Sequence, residues 1–200
     1  MKHLTIILIT LLSCTFINAQ VEIKPGIKAG MNIAGLSNLE ENGGIRSEKI
    51  TTFHIGATLS FKFARFYTLQ PEVLYSKQGS EYKNFGFDGT QSIELNYLSI
   101  PVNNKFYISN SGLNFQIAPV IDILLSHKNV NNPQKVDIAI AGAIGYDIGN
   151  GLVMSIGYKQ GITDLLGRNV DTGNGYETTD VSDLILNNVI QLSVGYQFKL

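Results

Sequence analysis

The sequence predicts an all-β chain: an eight-stranded antiparallel up-and-down transmembrane β-barrel behind a cleaved N-terminal signal peptide. Three observations predict it. First, the final stretch alternates without a break, with Ile190, Leu192, Val194, Tyr196, Phe198 and Leu200 on one set and Gln191, Ser193, Gly195, Gln197 and Lys199 on the other. Successive strand side chains point to opposite faces, so one face is wholly apolar and the other small and polar. About eleven residues is what a tilted strand needs to cross a bilayer. Second, seven earlier stretches repeat this pattern. Third, the connections between them alternate between long and short.

Bulk properties agree. With 200 residues the chain fits one domain. Charged residues make up only 16%, against roughly 25% in an average soluble domain. Mean hydropathy is nevertheless only +0.09, and no segment after residue 19 is apolar enough for a membrane helix. A formal net charge of -1 gives no field to draw nucleic acid, which is not expected as a partner.

Residues 1–19 read as a signal peptide. Lys2 and His3 precede an apolar run from Leu4 to Leu12, and Asn18-Ala19-Gln20 offers a small residue before the cut, so the mature barrel domain is expected to span 20–200. A competing reading takes Leu11-Leu12-Ser13-Cys14 as a lipoprotein box with Cys14 lipidated. Cys14 is the only cysteine, which excludes an intrachain disulfide and a cysteine metal site.

The first strand sets Val21, Ile23, Pro25, Ile27, Ala29, Met31 and Ile33 against Glu22, Lys24, Gly26, Lys28, Gly30 and Asn32, with regular pairing expected to start near Pro25, which cannot donate. A polar connection follows from Ala34 to Ile50. The second strand carries Phe53, Ile55, Ala57, Leu59, Phe61 and Phe63 on one face, and only Ala64-Arg65 separates it from the third, Tyr67 to Gln78. A second polar connection is expected from Gly79 to Gln91. In the fourth strand Ile93, Leu95 and Tyr97 are in phase, but Leu98, Ile100 and Val102 take the other parity. A β-bulge near Tyr97–Leu98 is expected to restore the apolar face. After Ser109–Gly112, the fifth strand runs from Leu113 to Ile123, and His127 to Lys135 forms the third long connection. The sixth strand, Val136 to Ile148, has mainly Ala and Gly on its second face. Gly149-Asn150-Gly151 turns the chain into the seventh strand, Leu152 to Gly161, and the longest connection, Asp164 to about Asn187, leads to the eighth. Outer-membrane barrels have short periplasmic turns and longer outer loops, and this asymmetry matches.

Alternation alone leaves open a lipocalin-like barrel with the apolar face inward. Two features favour the outward arrangement. The polar rows are too small and uncharged to face water. Aromatic residues also gather where the apolar rows would meet the interface: Phe61, Phe63, Tyr67, Phe115, Tyr146, Tyr196 and Phe198 toward the turns, and Phe53, Tyr75, Tyr97 and Tyr158 toward the loops. Such rings form the girdles of membrane barrels.

Four stretches bear a family resemblance: Gly26-Ile27-Lys28-Ala29-Gly30-Met31-Asn32, Leu69-Gln70-Pro71-Glu72-Val73-Leu74-Tyr75-Ser76-Lys77-Gln78-Gly79, Asn96-Tyr97-Leu98-Ser99-Ile100-Pro101 and Gly195-Tyr196-Gln197-Phe198. With them the chain resembles the PorT-like, or porin-family, outer-membrane β-barrel proteins of Gram-negative bacteria. The resemblance implies an integral outer-membrane barrel and brings no catalytic residues with it. One member type assists protein secretion.

The inward rows place Lys28, His54, Lys62, Glu72, Glu94, Lys105, Asp122 and Lys159 in the lumen. Buried charges must be paired, so a salt-bridged plug is expected, with Glu72 bound to Lys105 or Lys62 on a neighbouring strand. A gate or narrow ion path is the functional alternative. The last connection gathers Asp164, Asp171, Glu177, Asp180 and Asp183 against Arg168, in a spacing that matches no calcium loop. No Ser/His/Asp order, scattered-histidine metal site or phosphate loop stands out, so neither an enzyme nor a cofactor is expected. The expected partners are outer-membrane lipid and, at the outer loops or the periplasmic side, another protein. The function expected is structural or interactive, with a small channel or a secretion accessory as rivals.

Overall fold

A computed structural model describes residues 21–37, 45–84, 90–109, 111–130, 132–165 and 184–199. The expected signal peptide over residues 1–19, with Cys14, and residues Arg168, Asp171, Glu177, Asp180 and Asp183 lie outside these. Eight strands follow in order: β1 Glu22–Leu36, β2 Ile45–Ala64, β3 Tyr67–Asn84, β4 Thr90–Tyr107, β5 Leu113–Lys128, β6 Val136–Asp147, β7 Leu152–Gly161 and β8 Asn187–Gln197. Each pairs antiparallel with the next, and β8 returns to β1, closing the barrel from Gly26↔Gln197 to Leu36↔Asn187. Closure matters because an open edge in hydrocarbon leaves backbone groups without partners.

The apolar rows face outward. Ile27 is 57% exposed, Ile117 55% and Val194 49%, whereas Glu72 on the opposite parity is 1% exposed. The hydrophobic side chains therefore form the lipid surface, and the small and polar ones fill the inside of a cylinder that eight strands make just wide enough for side chains.

The short turns lie together at one end. Between β6 and β7, Gly149 and Gly151 have φ of +83° and +96°, a region other residues enter at a cost, and Ile148 N donates to Leu152 O at 2.8 Å across the turn. The other end is uneven. β2 begins at Ile45, β3 continues to Asn84 and β4 begins at Thr90, so much of two expected connections is strand. Their ladder runs from Ile45↔Asn84 to Lys49↔Ser80 and from Ser80↔Ile93 to Lys83↔Thr90. Nine residues separate Tyr75 from Asn84, about 30 Å of strand at ~3.4 Å per residue. Above the hydrocarbon no apolar row is required, so the period-2 signal fades while backbone pairing continues. Pairing also starts earlier than expected, since Glu22↔Lys62 precedes Pro25 on the β2 side. On the β8 side the register begins at Gly26, and Pro25 serves as an acceptor for Phe198 N at 2.8 Å.

The expected bulge lies on the neighbouring strand. Asn96 pairs with Ser126 but Tyr97 with Leu124, so Leu125 of β5 is the extra residue. β4 keeps one parity throughout, and Ile93, Leu95 and Tyr97 all point inward.

Candidate functional site: the filled lumen and its two ends

The sequence folds so that each strand contributes one row to the lumen, and these rows build layers. At the centre, Lys28 of β1 reaches Glu72 of β3, its Nζ 2.9 Å from Oε2 and 3.3 Å from Oε1. Glu72 is therefore bound neither to Lys105 nor to Lys62. The reason lies in β2: Lys28 stands opposite Gly56, which has no side chain, so the lysine passes over that strand to the next. The same device recurs across β6. Lys159 of β7 donates to Asp122 of β5, both almost fully buried, past the small Ala139 and Ala141. Lys105 is 3% exposed and, among the described residues, has no carboxylate within 4 Å.

Neutral side chains join these charges. Gln70 Nε2 donates to Glu72 Oε1 at 2.7 Å, Ser60 Oγ to Gln70 Oε1 at 2.7 Å, and Gln197 Nε2 to Ser60 Oγ at 2.9 Å. Gln116 Nε2 donates to Asn114 Oδ1 at 2.8 Å, and Tyr107 OH to Asp147 Oδ2 at 2.7 Å. Asp137, opposite Asp122 in the β5–β6 register, accepts from Thr163. The signal that marks all of these is inward parity. A search confined to ionisable residues passes over the amides.

His54, 1% exposed, is held on both sides: Nδ1 lies 2.8 Å from Asn32 Oδ1 and Nε2 3.0 Å from Ser193 Oγ. Asn32 Nδ2 donates to Phe53 O, Ser76 Oγ and Lys77 O, which fixes Oδ1 as an acceptor. His54 Nδ1 then carries the proton, and Nε2 accepts from the Ser193 hydroxyl. This places serine, histidine and asparagine in the connectivity of a nucleophile, base and orienter, which the sequence order did not reveal. Ser193 borders a cavity of about 30 Å³. A second lumen cavity, beside Lys28 and Lys105, measures about 10 Å³. Such volumes admit a water or two and exclude an ester or amide substrate.

At the loop end the filling becomes apolar. Leu36, Ile93, Leu95, Tyr97 and Leu165 form a buried cluster, with Leu124, Val130 and Ile185 against it. Backbone bonds from Leu165 N to Ile185 O at 2.9 Å and from Gln134 N to Leu165 O at 2.8 Å tie the loop stems over it. Asp164 accepts from Ile185 N at 2.7 Å, so this carboxylate caps a strap.

Two assignments are corrected. Tyr97 is fully buried in the lumen and is no part of an outer aromatic ring, because β4 alternates without interruption and Tyr97 shares the inward face of Ser99 and Lys105. Glu94 points outward, pairing with Lys77 at 2.8 Å beyond Tyr75, because β4 keeps its parity from Glu94 to Lys105. Lys62 shares the inward parity but lies exposed at the turn-end mouth. On the outer surface Phe63, Phe115, Tyr146, Tyr196 and Phe198 are exposed toward the turns, with Phe61 and Tyr67 half-buried among them. Phe53, Tyr75 and Tyr158 are exposed toward the loops. Phe66 and Phe106 join the turn-end set, and Tyr67 lies between Phe63 and Phe106 with centroid distances of 6.1 and 5.4 Å.

No curated protein matches the sequence. Among solved structures, the barrel is similar to Ail, the attachment invasion locus protein of Yersinia pestis, with a TM-score of 0.50 and 10% identity over 88% of this chain and 99% of that one. OprG of Pseudomonas aeruginosa aligns with a TM-score of 0.47 and 11% identity over 90% and 96% of the two chains. The Neisserial surface protein A aligns with a TM-score of 0.47 and 12% identity over 87% and 97%. Residues 18–167 match the family described as outer membrane protein beta-barrel domain, three-quarters of the sequence. With its closed cylinder and outward apolar rows, the chain belongs to the outer membrane protein beta-barrel domain family and is an integral protein of the Gram-negative outer membrane.

Proposed function

We propose that the protein is a non-conducting barrel of structural or interaction function, in which side chains plug the lumen and polar loops and strand extensions meet partners outside. The reading rests on one observation: between its ion-paired layers the middle of the described lumen is filled by side chains, around cavities of about 30 and 10 Å³. Ions need a continuous wetted path, and buried pairs such as Lys28–Glu72 and Lys159–Asp122 stand where it would run. The apolar cluster above them is a second barrier, since hydrophobic constrictions exclude water. The exposed aromatic rings act as girdles at the two interfaces. Residues 20–200 are the mature domain, and the chain is of the PorT-like type within the family. The mechanism is mechanical: lipid-facing rows anchor the cylinder, and the bonded interior stiffens it.

Planar-bilayer recording from the purified protein tests this. The expected result is no stable conductance above baseline. Large, long-lived openings that scale with protein added would replace the reading with that of a small channel.

A further inference from the structure

The lumen is not equally full along its length. At the turn end it widens into a vestibule of about 510 Å³, inside the range of about 300–1,000 Å³ typical of small-molecule sites. Four cations line it, Lys24, Lys62, Arg65 and Lys199, and they face two carboxylates, Glu22 and Asp147. Both carboxylates are already engaged. Lys24 Nζ lies 2.9 Å from Glu22 Oε1, and Asp147 accepts from Tyr107 OH at 2.7 Å and from Asn114 Nδ2 at 3.3 Å. Among the described residues, Lys62, Arg65 and Lys199 have no carboxylate within 4 Å. The vestibule wall also holds Thr68, 3% exposed, whose hydroxyl lies beside that of Tyr107. Farther in, opposite Thr68 in the β3–β4 register, lies the buried side chain of Lys105.

We propose that this vestibule is a binding site, entered from the periplasm, for a small multivalent anion bearing phosphate or carboxylate groups. Three cations with no carboxylate within 4 Å among the described residues stand around one concavity, only Glu22 acting on two of them from farther away, and low-dielectric walls concentrate their field on whatever enters. An anion offsets their charge. Arg65 offers a planar fork for two oxygens of one group, and the two lysines act as point charges. At the loop end, Lys77 is already paired with Glu94. Phosphate chemistry can come from a free solute or from the headgroup of an inner-leaflet lipid reaching over the turn-end rim. The site is the same in both cases, and it stands independently of whether the barrel conducts.

The test uses the mature chain in nanodiscs of phosphatidylcholine, titrated with pyrophosphate by calorimetry. One-to-one saturable binding is expected, with a rise in unfolding temperature. Lys62→Gln with Arg65→Gln should weaken binding by about tenfold per charge removed. It should leave the empty barrel at least as heat-stable as the parent, which separates lost binding from lost folding. Lys128→Gln, at the exposed loop end of β5, should change nothing. In the second arm the discs carry phosphatidylglycerol with a photoreactive headgroup. If pyrophosphate fails to bind but this lipid crosslinks to residues 60–68 in the parent and not in the double variant, the anion is a lipid headgroup and the site stands. If neither probe binds, or if both bind the double variant as well as the parent, the assignment is overturned.

Discussion

The Lys28–Glu72 pair offers the sharpest check on the lumen, because removing one partner and removing both should have opposite consequences. Glu72 has a fully buried side chain, and that of Lys28 is 15% exposed. Glu72→Gln keeps the shape and one acceptor for Gln70 but deletes the charge. Lys28 is then an uncompensated cation in a lumen that also holds Lys105, both bordering the same small cavity. Breaking a buried pair from one side costs about 3–5 kcal/mol, a large part of the ~5–15 kcal/mol that holds a typical domain. Replacing both residues by methionine removes the stranded charge, and the double variant should lie within about 1 kcal/mol of the parent or above it. The assay is urea unfolding in lipid vesicles, followed by circular dichroism and by the gel shift between folded and heated forms, since the sequence contains no tryptophan. A Glu72→Gln cost below 1 kcal/mol, or a double variant as unstable as the single one, would refute the claim that the charges are tightly buried and interdependent.

Three further outcomes follow from the same geometry. Val194→Arg, on the lipid-facing row of β8, should destabilise the barrel in vesicles by about 2–4 kcal/mol while Val194→Leu should not; an unaffected arginine variant would mean that the rows are reversed. Tyr97 is buried with a hydroxyl that has no partner, so Tyr97→Phe should be neutral or stabilising and Tyr97→Ala should cost about 3–5 kcal/mol in the same assay. A fluorophosphonate probe, read by mass spectrometry, should leave Ser193 unmodified, because a cavity of only about 30 Å³ lies beside it; stoichiometric labelling would mean that the Ser193–His54–Asn32 chain is reachable and reactive.

The membrane-crossing part of the fold was legible because lipid enforces it: every spanning strand needs an apolar row, and Ile190 to Phe198 alternates without a break. Above the bilayer nothing enforces alternation, so Lys49↔Ser80 and the ladder around it were invisible as strand. Tyr97 illustrates a subtler limit. Its place among Ile93 and Leu95 promised an outward row, but these three residues fill the loop end of the lumen, where an oily lining replaces a polar one. Periodicity reports that residues share a face and does not report which face it is. The pairing of Glu72 likewise depended on absence: Gly56 opens the way for Lys28, and adjacent-strand reasoning looks only at the side chains that are present.

The single parity of β4 has a topographic result. On the proposed plugged-lumen reading, its apolar residues near the loops stopper the cylinder on the cell-surface side, while the vestibule leaves the other side hollow. On that reading the molecule is a blind well sunk into the membrane from within: its outer rim can be touched, and whatever exchanges with its depths arrives from the interior of the envelope.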